Sequence, residues 1–218
     1  EGFNLVQIAH AVAAAGLASE ADFLATARDP QIAETLGIPA DTLEGDLFPD
    51  TYYFPSGLDS ETIITTMVKT FRTAFKPEWK VRAEQLGMSV HEVVTLASII
   101  EKETGAPEER PLISSVFHNR LKKGMRLETD PTVIYGIADF DGNLKRRHLE
   151  TYTPYNTYKI KGLPPGPIAS PGAAAIEAAL YPASTDYLFF VSKKDGTHQF
   201  STSIEAHNAA VRKYQLRK

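Results

Sequence analysis

The run VHEVVTLASIIEKET, residues 90–104, carries the strongest helical pattern in the chain. Ser89 precedes it and Glu92 follows at the spacing of a capping box, in which each side chain satisfies a backbone N–H of the other residue. Gly105 and Pro107 then interrupt the pattern. The sequence therefore predicts one long helix that ends just before residue 105.

Two carboxylates near the end of this helix cannot face the same way. Glu101 and Glu103 are two residues apart, which is about 200° around a helix axis. Glu103 continues the apolar stripe of Leu96, Ile99 and Ile100, whereas Glu101 falls on the other side. Burial and the negative end of the helix dipole both raise the pKa of a carboxyl group. Glu103 is therefore a candidate for a group that donates a proton near neutral pH.

A structural interpretation of Glu103 stays open beside the catalytic one. A buried glutamate is commonly satisfied by a backbone N–H or by an arginine. Arg110 and Arg120 follow in the next predicted helix and are available for that purpose. Spacing alone favours this structural interpretation.

Helical patterns dominate the rest of the chain, and residues 138–169 form a Pro/Gly-rich loop in this prediction. The predicted helices cover residues 3–15, 19–27, 30–36, 60–80, 107–123, 130–135, 171–181 and 203–214. Thr202 and Glu205 form a capping-box pattern before the last of them. Strands are predicted at 187–192 and 198–201 around an Asp195-Gly196 turn. The fold class is therefore predicted as α+β, with a small antiparallel sheet and a C-terminal hairpin followed by a helix.

Composition excludes several kinds of site. The 218 residues contain no Cys, which excludes disulfides, thiolate zinc sites, iron–sulfur clusters and a cysteine nucleophile. The six histidines show no metal-binding spacing, and there is no phosphate-binding glycine loop and no G-x-S-x-G elbow. We therefore expect no metal and no cofactor. No apolar run reaches the roughly 20 residues that span a bilayer.

Charge is distributed unevenly along the chain. Residues 1–60 hold ten acidic side chains and one basic side chain, whereas residues 61–218 hold seventeen acidic and twenty-two basic ones. So small a positive excess, in a chain with a net charge of −4, is far from the charge of a nucleic-acid-binding surface. We therefore predict no nucleic-acid partner.

Three stretches resemble one family and occur in its order. They are ASIIEKET (97–104), ERPLISSVFHNRLKKGMRLETDPTVIYG (109–136) and YNTYKIKGLPPGPIASPG (155–172). Together they resemble the MltG (YceG-like) family of endolytic murein transglycosylases, and the resemblance runs from EGDLFPDTYYF (44–54) to the final helix. It implies a helix-rich catalytic domain with a lysozyme-like catalytic helix, which cleaves peptidoglycan glycan strands internally.

The resemblance also implies a mechanism with one carboxyl group. The pair Glu103-Thr104 is similar to the Glu-Ser pair that ends the catalytic helix of lysozyme-like lytic transglycosylases. Glu103 would protonate the oxygen between N-acetylmuramic acid and N-acetylglucosamine and then deprotonate the muramoyl 6-hydroxyl, which attacks the anomeric carbon. The implied product is a 1,6-anhydro end, formed without water, which would terminate elongation of a nascent strand.

Two other functions remain open at this point. A hydrolase would use water, with Asp130 or Asp50 as the second carboxylate beside Glu103. A non-catalytic scaffold would bind glycan and attach a wall-synthesis complex to the wall.

Sugar-binding residues are expected because aromatic rings stack on pyranose faces and amides bond to N-acetyl groups. Tyr155 and Asn156 are the first candidates, with Thr157 and Tyr158 beside them. Asn119, Arg126, Thr129 and Asp130 lie in the family-like segments, where they would either orient the glycan or hold the Glu103 helix. Asp50 and Tyr52 are similar candidates of second rank. For Asp130 the role of a helix cap is the slightly favoured alternative.

The resemblance implies an organisation and a location as well. Residues 1–43 would be a helical N-terminal segment packed on a catalytic domain at 44–218, and the aromatic segment 44–55 either lines a groove or covers the core. Family members usually begin with a transmembrane anchor and a LysM-like domain, so this chain is expected to lack its start. The implied location is the cell envelope, anchored at the inner membrane, with glycan strands and the peptidoglycan-synthesis machinery as partners.

Overall fold

A computed structural model describes residues 1–103 and 106–216. The predicted helix end at Thr104 and Gly105 lies outside the described residues. Of the pair Glu103-Thr104, only Glu103 is described. Within those two ranges, no helix combines the length and the apolar character that crossing a bilayer requires.

Helices dominate the described residues, and two strands accompany them. The helices are α1 Leu5–Ala14, α2 Glu20–Ala27, α3 Pro30–Thr35, α4 Ser60–Ala74, α5 Pro77–Leu86, α6 Val90–Glu103, α7 Arg110–Lys122, α8 Asp130–Tyr135, α9 Arg146–Glu150, α10 Ala173–Leu180 and α11 Ile204–Tyr214, with a short 3₁₀ helix, η1, at Pro107–Glu109. Strands β1 Phe189–Ser192 and β2 His198–Ser201 pair antiparallel, with Phe190 opposite Phe200. The predicted α+β class is confirmed, and so is the hairpin followed by a helix.

Helix α6 begins as its sequence predicts. The Ser89 backbone N–H donates to a Glu92 carboxylate oxygen at 2.8 Å, and the Glu92 N–H donates to Ser89 Oγ at 3.2 Å. These reciprocal bonds complete the capping box. Leu96, Ile99 and Ile100 are fully buried, so the apolar stripe faces the interior.

The segment predicted as one helix at 60–80 is two helices. Helix α4 ends at Ala74 and α5 begins at Pro77. Pro77 has no backbone N–H to continue the helical ladder, and it disfavours the helical conformation for Lys76, which has ψ of 151°. The prediction of a single helix is wrong because the apolar pattern continues across a break that the proline imposes.

Two smaller predictions are also wrong. The predicted loop 138–169 contains α9, a five-residue helix without a buried residue and therefore without an apolar period to reveal it. The last helix is capped by Ser203 rather than Thr202, since Ser203 Oγ accepts the Ala206 N–H at 3.2 Å. Adjacent capping residues leave a sequence pattern ambiguous by one position.

The chain divides into two compact units. Unit 1 consists of Glu1–Ser98 and Gly166–Ile176, and unit 2 of Ile99–Pro165 and Glu177–Lys218. Among the fully buried side chains of the unit 1 core are Phe23, Leu43 and Ile63. The division between residues 43 and 44 stays a prediction.

Segment 44–55 packs within unit 1. Phe48 is buried, and the Tyr52 hydroxyl donates to the Phe48 carbonyl at 2.6 Å. Tyr52 stacks on Phe54 with ring centroids 5.4 Å apart, and both rings line a cleft of unit 1. The segment therefore both covers the core and lines a groove.

Unit 2 holds its hairpin against α7. Phe117 of α7 meets Phe190 of β1 edge to face, with ring centroids 5.9 Å apart. The buried carboxylate of Glu109 accepts the His198 backbone N–H at 2.9 Å, and its other oxygen lies 2.7 Å from His198 Nδ1. These bonds hold β2 beside the start of α7.

Gly45 lies where unit 1 leaves no room for a side chain. Its φ is +87°, and a Cβ there would lie 2.4 Å from Pro167 Cβ. Gly142 has a similar φ of +83°, but a Cβ there would meet no described atom within 4 Å other than those of its chain neighbours. We expect Gly142→Ala to lower the free energy of unfolding by about 1–2 kcal/mol through backbone strain. Gly45→Ala should lower it by about 3 kcal/mol or more, because overpacking adds to the strain. Urea denaturation measures both variants, and equal losses would contradict this account.

Candidate active site

Glu103 is the last residue of α6 and belongs to unit 2. It is partly buried, on the stripe that Ile99 and Ile100 continue into the interior. The carbonyl end of a helix places negative partial charge beside this carboxyl group. Both features disfavour its ionised form, as the sequence predicts.

A hydroxyl network holds one oxygen of Glu103. Thr129 Oγ1 donates to Glu103 Oε1. Thr129 is positioned in turn by Thr157, whose Oγ1 accepts the Thr129 N–H at 3.1 Å and lies 2.8 Å from Thr132 Oγ1. All three threonines are buried. Because the described network engages Oε1, we assign the proton of the neutral carboxyl group to Oε2.

The pKa of Glu103 is raised from 4.5 to about 7. Burial is the largest cause, and the negative charge of Asp130 adds to it, while the Thr129 hydrogen bond acts in the opposite direction. A carboxyl group with this pKa is protonated in a large fraction of molecules at neutral pH. It also loses its proton readily, so it can serve as acid and then as base.

The raised pKa makes a prediction about stability. Below pH 4.5 Glu103 is protonated in both folded and unfolded chains, and the fold incurs no penalty. Between pH 4.5 and about 7 the unfolded chain ionises first, so the folded state loses stability as pH rises. Glu103→Gln removes this dependence and should stabilise the fold by about 1–3 kcal/mol at pH 8, and by little at pH 4.

Urea denaturation of both proteins across this pH range measures the difference. A difference that does not change with pH, or an NMR pKa for Glu103 near the ordinary value of 4.5, would contradict a raised pKa.

Glu103 opens into a cleft of ≈ 340 Å³ within unit 2. The residues that line this cleft are Glu103, Arg120, Leu127, Glu128, Asp130, Tyr158, Phe189, Phe190, Ile204 and His207. The wall thus combines three carboxyl groups, one guanidinium and several aromatic rings. Such a lining suits a neutral, hydroxyl-rich ligand on which positive charge develops during reaction.

Asp130 is a cleft residue and not a helix cap. Thr129 occupies the N-cap position of α8, without a side-chain cap bond, and Asp130 is the first helical residue. The Asp130 carboxylate accepts the Tyr158 hydroxyl at 2.8 Å. Burial and this neighbouring charge raise the pKa of Tyr158, so its hydroxyl remains a donor. The favoured cap interpretation of Asp130 is therefore wrong.

Arg120 organises the floor of the cleft. Its guanidinium donates to the carbonyls of Leu188 at 2.6 Å and of Leu127 at 3.0 Å, and to Glu128 Oε2 at 3.1 Å. Glu128 has φ of +54°, a left-handed conformation that is uncommon for a residue other than glycine. Backbone strain of this kind is concentrated at functional sites, where surrounding contacts maintain it.

Asn156 and Thr157 lie in the interior of unit 2. Both are fully buried. The Asn156 amide donates to the Thr151 carbonyl at 2.6 Å, and its Oδ1 accepts the Tyr158 N–H at 2.9 Å. We therefore replace the predicted sugar contacts of both residues with a positioning role. Asn156 orients the chain that carries Tyr158, and Thr157 orients Thr129.

Three other predicted residues of unit 2 lie outside the cleft lining. Asn119 uses its amide hydrogens within the fold, donating to the carbonyls of Thr185 at 2.8 Å and Tyr187 at 2.9 Å. Tyr155 is partly exposed and packs on Tyr135, with ring centroids 4.7 Å apart. Arg126 is exposed. None of these three is among the residues that line the cleft as described.

Asp50 and Tyr52 belong to unit 1. They line a separate, more apolar cleft of ≈ 590 Å³ together with residues of α1 and segment 44–55. The lining of the Glu103 cleft, as far as the described residues define it, comes from unit 2.

The two arginines considered as partners for Glu103 bond elsewhere. Arg110 pairs with Glu101 at 3.3 Å, and both side chains are largely buried. Arg120 pairs with Glu128 at 3.1 Å. In the described part of the chain, Glu103 is therefore not the buried half of an arginine ion pair, and its hydrogen-bond partner is a neutral hydroxyl.

Sequence reasoning missed part of this cleft. Residues not predicted as site residues are Arg120, Leu127, Glu128, Phe189, Phe190, Ile204 and His207. Glu128 could have been predicted, because it directly precedes the candidates Thr129 and Asp130 and is itself polar. No local pattern connects the hairpin and α11 with Glu103, since their proximity is tertiary.

Across the two described ranges, no group of three or more His, Asp or Glu side chains is arranged to hold a metal ion.

Comparisons with known proteins agree on one family. The profile described as the YceG-like family matches residues 1–213. An endolytic murein transglycosylase of Bacillus subtilis is 44% identical over 173 residues, covering 79% of this chain and 48% of that protein. An endolytic murein transglycosylase of Streptococcus pneumoniae is 31% identical over 238 aligned positions, covering 97% of this chain and 43% of that protein. The chain thus spans somewhat less than half the length of these curated relatives.

A solved structure has the same fold as this chain. The crystal structure of a YceG-like protein from Listeria monocytogenes superposes with a TM-score of 0.87 at 40% sequence identity. The match covers 96% of this chain and 73% of that chain.

Proposed function

Since this chain belongs to the YceG-like family, as its sequence motifs predict, we propose that it is the catalytic part of an endolytic murein transglycosylase. The proposed substrate is the glycan strand of peptidoglycan, and the proposed reaction is a lytic cleavage of an internal bond between N-acetylmuramic acid and N-acetylglucosamine. The observation that carries the proposal is Glu103. It is a carboxyl group with a pKa of about 7, held by Thr129 at the edge of a polar and aromatic cleft.

The first step is protonation of the leaving group. Glu103 gives its proton to the glycosidic oxygen as the bond from this oxygen to the anomeric carbon of the muramoyl residue breaks. Positive charge develops on the sugar ring. The carboxylates of Glu128 and Asp130, which line the same cleft, stabilise that charge.

The second step closes the muramoyl ring on itself. The Glu103 carboxylate takes the proton of the 6-hydroxyl while that oxygen bonds to the anomeric carbon. The product is a 1,6-anhydromuramoyl end and a free 4-hydroxyl on the leaving strand, and Glu103 is again protonated. No water is consumed, so the reaction needs no second catalytic carboxyl group.

The other proposed sugar contacts are residues that line the cleft or are partly exposed. Tyr158, fixed by its bond to Asp130, faces the sugar from one side of the cleft, and the rings of Phe189 and Phe190 offer apolar faces. Tyr155 is proposed as an outer stacking residue. Asp50 and Tyr52 stay candidates for glycan binding at the separate cleft of unit 1.

The biological setting follows from the same proposal. An enzyme of this kind would act in the cell envelope, in the periplasm or extracytoplasmic space beside the inner membrane. There, cleavage inside a strand would terminate its elongation, and the peptidoglycan-synthesis machinery would be the partner. Family resemblance supports this setting.

A hydrolase is the second candidate, because Asp130 shares the cleft with Glu103 and could activate water. Digestion of purified sacculi followed by mass spectrometry separates the two reactions. We expect anhydromuramoyl ends distributed along fragments of many lengths, as internal cleavage produces. Reducing muramic ends would overturn the lytic reaction in favour of hydrolysis. Release of short products from strand ends would contradict the endolytic assignment, and unchanged glycan would favour a binding scaffold.

A further inference from the structure

His207 is a titratable group of the Glu103 cleft that the proposed mechanism does not use. It lies on α11 and lines the cleft together with Glu103 of α6 and Asp130 of α8. Its imidazole stacks on the Phe189 ring, with centroids 5.2 Å apart and an angle of 27° between the planes. The plane of the ring is therefore supported by Phe189 in the wall of the cleft.

The two ring nitrogens of His207 have different surroundings. Nδ1 is buried and has no hydrogen-bond partner in the part of the chain that the structure describes. A buried N–H without an acceptor is rarer in proteins than a buried acceptor without a donor. The proton of the neutral ring therefore belongs on Nε2. Nε2 is the nitrogen left to meet a ligand in the cleft.

The surroundings also keep this ring uncharged. Burial and the Arg120 guanidinium lower the pKa of His207. Arg120 and His207 both contact the Phe189 ring, since the Arg120 Cζ lies 5.1 Å from its centroid and the His207 ring stacks on it. The other titratable groups that line the cleft are Glu103, Glu128, Asp130 and Tyr158. Among these charged and acidic groups, a neutral N–H is suited to bind an uncharged oxygen.

We propose that His207 is a glycan-binding residue, whose Nε2–H donates a hydrogen bond to an oxygen of the bound sugar. Peptidoglycan sugars offer hydroxyl and N-acetyl carbonyl oxygens in abundance, and the stacked Phe189 ring holds the donor in place. This inference rests on the proposed function, because it assumes that the cleft receives a glycan strand.

The test compares His207→Phe with His207→Gln. Phenylalanine keeps the stacking on Phe189 but has no N–H, whereas the glutamine amide restores a donor. Both changes are made in a Glu103→Gln background, in which strands are not cleaved, and the affinity for purified glycan strands is measured. We expect His207→Phe to weaken binding about 5-fold, the size of one lost hydrogen bond, and His207→Gln to recover part of the loss.

Matched measurements assign each outcome. His10→Phe, a change of an exposed histidine in unit 1, should leave binding unaltered. In the otherwise native chain, His207→Phe should raise KM with kcat changed less than about 2-fold. Equal strand affinity of His207→Phe and its parent would overturn the inference, even where the native chain cleaves strands and confirms the proposed function. If the native chain neither binds nor cleaves strands, the proposed function fails and this inference fails with it.

Discussion

Glu103→Gln should lower kcat for strand cleavage by about 10³-fold, the contribution expected of a general acid and base. Glutamine matches the carboxyl group in size and can still accept the Thr129 hydroxyl, but it cannot give a proton to the glycosidic oxygen. Binding of glycan strands should therefore persist while cleavage is lost. Release of anhydromuramoyl ends over time measures the rate, and co-sedimentation with sacculi measures the binding.

Two matched variants make this result specific. Glu108→Gln alters an exposed carboxylate of η1 outside the cleft lining and should cleave at the native rate. Asp130→Asn should lower kcat far less than Glu103→Gln, because Asp130 stabilises charge without exchanging a proton. Equal losses at Asp130 and Glu103 would favour the hydrolase. Native-rate cleavage by Glu103→Gln would contradict the assignment of Glu103.

Arg120→Ala should produce the largest loss of stability, about 3–5 kcal/mol in the free energy of unfolding. The Arg120 side chain is 8% exposed and donates to the carbonyls of Arg126, Leu127 and Leu188 as well as to Glu128. Alanine would leave these carbonyls without their donor in a buried environment. Arg120→Lys should restore little, because an ammonium group lacks the planar set of donors that reaches several acceptors at once.

Arg126→Ala is the control for this measurement. Arg126 is exposed, and its backbone carbonyl, which alanine retains, is the atom that Arg120 contacts. We expect its unfolding free energy to stay within about 0.5 kcal/mol of the native value in urea denaturation. A loss for Arg120→Ala as small as that of Arg126→Ala would refute the organising role of Arg120.

Local signals predicted the helix that carries Glu103, because its determinants are close in sequence. The Ser89–Glu92 capping box and the stripe of Leu96, Ile99 and Ile100 are sufficient for the helix and for the unusual position of Glu103. The predicted rise of the Glu103 pKa follows from its place on the buried stripe and at the carbonyl end of the helix, and the direction agrees with the structure.

Predictions failed where the answer depended on tertiary contacts. Asn156 has the amide of a sugar-binding residue, but it is buried and bonded to the surrounding loop, which no local pattern reveals. Asp130 has the spacing of a helix cap, but its carboxylate bonds instead to Tyr158, 28 residues further along the chain. His207 comes to the Glu103 cleft through the packing of α11, which lies about a hundred residues after α6 in the chain.

The source of the oxygen on the anomeric carbon of each new muramoyl end shows whether the 6-hydroxyl or water attacks this carbon. Strands are digested in H₂¹⁸O and the products are analysed by mass spectrometry. If Glu103 acts alone as acid and base, the new ends are anhydromuramoyl ends without the heavy isotope. Reducing muramoyl ends that carry the isotope would show that water attacks the anomeric carbon, and would contradict the account.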